Sequence, residues 1–134
     1  MGTRKRIAIE QDPAVELSRR LLLLWAEYDN LVDADDPNEV LEQVTIDERD
    51  TVERRLALTQ ATSLDGALAQ LVLAHAHAGL LIDIQEFGNP EFERQIKEGI
   101  EALIRSAVRV LVRLGGDMST VPSAYVGPKL RLAE

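Results

Sequence analysis

Apolar residues recur at three- and four-residue spacing along four stretches of the chain, and short polar turns separate the stretches. The pattern predicts helices over about residues 13–32, 37–58, 64–87 and 90–114. In the first, Leu17, Leu21, Leu24, Trp25, Tyr28, Leu31 and Val32 share one face, while Arg19, Arg20, Glu27 and Asp29 lie mostly away from it. Asp12-Pro13 opens it, because aspartate can accept from free backbone N–H groups and proline has no donor to lose at the first helical position. Asp36-Pro37-Asn38-Glu39 restarts the chain in the same way, with Asp36 as the expected cap. The second helix has the thinnest stripe, Val40, Leu41, Val44, Val52 and Leu56, interrupted by charge. Thr45-Ile46-Asp47-Glu48 is a second capping signal inside it, and one continuous helix is the preferred reading.

The third stretch, LDGALAQLVLAHAHAGLLIDIQEF, organises the rest. At about 100° per residue, Leu64, Leu68, Leu71, His75, Ala78 and Ile82 fall in one narrow arc, and Leu73, Ala76, Leu80, Ile84 and Phe87 gather opposite. A helix apolar on two sides needs cover from more than one direction, so a central position is expected. Gly88-Asn89-Pro90 closes this helix and opens the fourth. There Phe92, Ile96, Ile100, Leu103, Ile104, Ala107, Val108, Val110, Leu111 and Leu114 cover a wide arc. Gly115-Gly116 ends it. The reading is an all-α, antiparallel four-helix bundle over residues 12–115, with a flexible basic arm at 1–11 and an extended tail at 116–134. Apolar surface in excess of what one such chain can cover points to a homodimer.

Composition narrows the picture. With 134 residues, 46% of them hydrophobic but only 4% aromatic, the core must be built from Leu, Val, Ile and Ala, which suits helices. A net charge of −8 repels a phosphate backbone, so nucleic acid is an unlikely partner. There is no cysteine, which removes disulfides, thiolate nucleophiles and Cys-ligated zinc, and fits a cytoplasmic setting. The uncharged run 68–82, bracketed by Asp65 and Asp83, falls short of the roughly 20 residues of a membrane span, so no membrane is expected. After Arg4-Lys5-Arg6 come only Ile7-Ala8-Ile9, too few apolar residues for a secretory signal.

Candidate chemistry is sparse. His75 and His77 project about 200° apart on a helix and cannot chelate one ion together. No Glu-x-x-His pair is present, and the aspartates at 33, 35 and 36 lack the glycine and distal glutamate of a calcium loop, so neither metal nor cofactor is expected. His75 sits within the apolar seam and is expected to be a buried core or interface histidine. His77, near Gln70 on the more polar side, is expected to be partly exposed. His75, Trp25 and Tyr28 are the candidates for an inter-helix ligand pocket. Arg105, Arg109 and Arg113 form a basic strip that is the candidate surface for a protein partner.

Thr59-Gln60-Ala61-Thr62-Ser63-Leu64-Asp65-Gly66-Ala67-Leu68-Ala69-Gln70-Leu71 resembles the TPATTLAGLAAKL segment of a group of small helical proteins from α-proteobacteria, some of them prophage-associated. The resemblance covers about half the chain and departs at Gln60, where the group has Pro, and at Gln70, where it has Lys. It implies a helical fold and a bacterial or phage origin. The group has no established activity, and no site residue transfers. The leading functional expectation is a non-catalytic, self-associating interaction or structural protein. The alternative is a small-ligand-binding regulator with a pocket near His75, and the third is an enzyme using His75 as a base.

Overall fold

In the computed structural model, residues 11–122 are described, apart from the side chains at 84–87 and 120; almost all of the basic arm and most of the tail lie outside the described residues. Four α-helices follow in order: α1 (Pro13–Val32), α2 (Glu39–Leu58), α3 (Leu64–Phe87) and α4 (Pro90–Arg113). No strand occurs among the described residues. The protein is an all-α antiparallel four-helix bundle. α1 packs beside α2 and α3, and α4 beside α3 and α2, so the helices stand at the corners of a square with α3 and α4 in closest association. A short 3-10 turn, Met118–Thr120, stands where continuous extended chain was expected, its start capped by Asp117.

The helix limits follow from local capping chemistry. The Asp12 carboxylate accepts from the Ala14 N–H at 2.9 Å, and Asn89 Oδ1 accepts from the Phe92 N–H at 3.1 Å. The second helix starts later than its proline suggested. Asn38, in an extended conformation, caps it by accepting from the Leu41 N–H at 3.1 Å, so Asp36 is not the cap. Thr45 does not break α2, because its hydroxyl donates back to the Leu41 carbonyl at 2.8 Å and is satisfied within the helix.

The core gathers at one end. Leu24, Leu56, Leu103 and Val110 are the fully buried large apolar side chains, and Ala14, Ala61, Ala67 and Ala107 fill the gaps between them. The connection from α2 to α3 passes through this end, with Ala61 fully buried. A buried connection needs partners for its backbone, since unpaired amides and carbonyls away from water are costly. Gln60 Nε2 donates to the Ala61 carbonyl at 2.9 Å, and three further side chains contribute. Ser106 Oγ accepts from the Ala61 N–H at 2.9 Å. Gln70 Nε2 donates to the carbonyls of Leu56 at 3.1 Å and Thr59 at 2.6 Å. Asp12 accepts from both the Ser63 N–H, at 2.9 Å, and the Ser63 hydroxyl, at 2.6 Å. Burial pushes the Asp12 carboxyl up, but the donors from Ser63, Ala14 and Thr62 outweigh that and hold it below its ordinary range.

The other end is open. Between His75 and Glu98, every described side chain is exposed except those of His77, Leu81, Glu93 and Ile96, which are partly buried. On the far hairpin, the Arg49 guanidinium lies 4.2 Å from the centre of the Trp25 ring and 5.8 Å from that of Tyr28, while the two rings meet edge to face at 6.4 Å. This stack and the Arg20–Glu48 ion pair tie α1 to α2.

Candidate functional site

α3 is packed with its apolar seam outward. The side that enters the bundle carries Ala67, Gln70 and Ala74, all buried, with Leu71, Leu73, His77 and Leu81 partly buried beside them. The seam leaves Leu64 at 56% exposure, Leu68 at 61% and Ile82 at 68%, with His75 and Ala78 also exposed. Within the single subunit, His75 is therefore not a buried histidine. Leu73 is partly buried and Leu80 is exposed, while the side chains of Ile84 and Phe87 lie outside the described residues.

The reason lies in what the base of the bundle requires. At the carbonyls of Leu56 and Thr59, Gln70 is the buried donor at 3.1 and 2.6 Å, shorter than their other contacts at 3.3 Å from the Thr59 N–H and the Ser106 hydroxyl, and no leucine could replace it. The start of α1 presses so near that an added Cβ at Gly66 would lie 2.0 Å from Asp12 Oδ2, so the inward side must begin with the smallest residues. With the inward orientation set by polar and steric demands, Leu64, Leu68 and Leu80 are left facing outward.

Their spacing then matters. Leu64, Leu68, Leu71, His75, Ala78 and Ile82 are separated by 4, 3, 4, 3 and 4 residues, the repeat by which one helix offers knobs and holes to another like it. Val72, at 59% exposure, widens the face, and Gly79 has no atom within 4 Å of where its Cβ would be. A partner helix could approach closely there. Leu64–Asp83 is also, among the described residues, the one segment long and apolar enough to cross a membrane.

His77, on the inward side, meets α2: its Nε2 is 3.1 Å from Glu53 Oε1, and both side chains are only 17% exposed. The pair is a candidate proton-accepting or ligand-orienting group, and the sequence reading, which did not single out Glu53, missed it. The signal was the run Ala67, Gln70, Ala74 and His77, a small-and-polar stripe at helical spacing. Trp25 and Tyr28 are engaged with Arg49, and neither they nor His75 line the cavity that opens between α2, α3 and α4. Arg105 is partly buried, whereas Arg109 and Arg113 are exposed. Arg109 reaches back toward the linker, with Nη1 3.4 Å from Gln60 Oε1. Among the described residues, no group of three His, Cys, Asp or Glu side chains is placed to hold a metal ion.

No family model, curated protein or solved structure matches the chain.

Proposed function

We propose that this protein is a non-catalytic assembly module that pairs with a second copy of itself through the outer face of α3. The observation that carries the reading is the inverted helix: Gln70 is fully buried while Leu64, Leu68 and Ile82, three positions of the heptad seam, stand in solvent with Val72 beside them. An identical helix suits that face because the repeat is self-complementary. A net charge of −8, with Asp65 and Asp83 at either end of the seam, disfavours an anionic lipid surface as the occupant. The missing cysteines fit a cytoplasmic setting, and the likeness of residues 59–71 to a partly prophage-associated group adds a bacterial or phage one.

Sedimentation or light scattering on the chain tests this directly. The wild type is expected to be a dimer at micromolar concentration. Leu68→Glu combined with Ile82→Glu is expected to give a folded monomer of unchanged helicity, since neither side chain is buried within the subunit. A wild-type monomer at 100-fold higher concentration, or partition of the protein into vesicles through the same face, overturns the reading.

A further inference from the structure

We propose that the cavity between α2, α3 and α4 is a binding site for a small organic cation, an apolar body bearing one ammonium group. The cavity has a volume of about 330 Å³ and lies open on one side. That is the lower end of the roughly 300–1,000 Å³ spanned by small-molecule sites. Its walls are Ala57, Leu58, Leu80, Phe92, Ile96 and Ala102. Leu58 is 83% exposed, and Leu80 and Phe92 are exposed beside it, so apolar surface borders the opening without a cover.

A second observation is independent of those walls. Gly99 lies inside α4, in ordinary helical conformation, and lines the cavity. Glycine there costs about 1 kcal/mol relative to alanine. Nothing demands it: a Cβ would meet no atom within 4 Å. Its effect is to leave that part of the cavity lining without a side chain.

The charge of the lining selects the ligand. Asp50, Glu53 and Glu98 line the cavity together with Arg54 and His77. Glu98 is held by Arg94 at 2.7 Å and Glu53 by His77 at 3.1 Å. Asp50 makes no hydrogen bond or ion pair among the described residues, and burial together with the neighbouring Glu53 pushes its carboxyl up against the opposing pull of Arg49 and Arg54. An ammonium group over the apolar walls would pair with Asp50 and lie within reach of the Phe92 ring, a second favourable contact for a cation. A carboxylate ligand would meet three carboxylates against the single guanidinium of Arg54.

The test is a titration followed by amide resonances, using phenethylammonium, 2-phenylethanol and 3-phenylpropanoate as cationic, neutral and anionic probes of one shape. The cation is expected to shift Leu58, Leu80 and Ile96 saturably and to bind at least tenfold tighter than the alcohol, with the anion weaker still. Asp50→Asn should reduce the advantage of the cation over the alcohol to less than threefold. Gly99→Leu should abolish binding of all three, and the milder Gly99→Ala should weaken it while raising the melting temperature. The Leu68→Glu, Ile82→Glu monomer should bind as the wild type does, which separates this site from the α3 seam. No saturable shift up to millimolar cation, equal affinity for cation and alcohol, or undiminished binding to Gly99→Ala overturns the proposal.

Discussion

Gly66 and Gly79 occupy the same helix thirteen residues apart, and the protein treats them in opposite ways. At Gly66 the Asp12 carboxylate fills the space a side chain would need; at Gly79 there is no neighbour at all. The contrast separates the two ends of the bundle. The lower end is closed by short contacts among small residues and by side chains that satisfy a buried connection, whereas side chains are mostly exposed towards the upper end, and the outer face of α3 carries exposed leucines from Leu64 onward. Tight packing and exposed apolar surface thus coexist on one helix.

The comparison can be broken most sharply at Gly66. Gly66→Ala is expected to destabilise the fold by about 3 kcal/mol, because the pinned carboxylate has no room to give. Chemical denaturation measures this, and a loss below about 0.5 kcal/mol would show the base to be more pliant than its contacts imply. Asp12→Ala should cost about 2 kcal/mol, from a lost helix cap and lost charge-assisted bonds to Ser63. Combined with Gly66→Ala it should show strong coupling, since the first change makes room for the second.

The same carboxylate gives a pH dependence whose sign is set by its lowered folded value. Its stabilisation is complete at neutral pH and starts to fall near the unfolded value, about pH 4. It is gone below the folded value. The wild-type advantage over Asp12→Ala should shrink accordingly as the solution is acidified in denaturation experiments, and an advantage constant from pH 7 to pH 2 would contradict the assignment. Arg49→Ala should cost about 1 kcal/mol through lost stacking on Trp25. Smallest and opposite in sign, Gly79→Ala should stabilise the isolated subunit by about 0.7 kcal/mol. It should also weaken dimerisation if a partner helix approaches there, so urea titrations at low and high protein concentration separate the two effects.

The helix limits were legible in the sequence because caps are local. Asp12, Asn89 and the glycines at 88 and 115 act within a turn of themselves, and the two glycines adopt the positive φ that such endings use. The cap of α2 was misplaced by two residues because Asp36-Pro37 and Asn38 carry similar signals. The orientation of α3 was not legible. Hydrophobic periodicity ranks faces by how much they favour leaving water, but the inward side was chosen by two carbonyls at the end of α2 that need Gln70 and by the near approach of Asp12. Those demands come from other parts of the chain. For the same reason His77 found Glu53 at the α2 contact, while His75, in the more apolar setting by sequence, faces outward.

One carboxylate, at position 12, grips a turn that lies 51 positions further along the chain. It begins α1 and also anchors the entry to α3, so the two hairpins share a fastening that neither can complete alone. A protein joined in this manner should melt as one body on heating, with its first and second halves reporting the same midpoint.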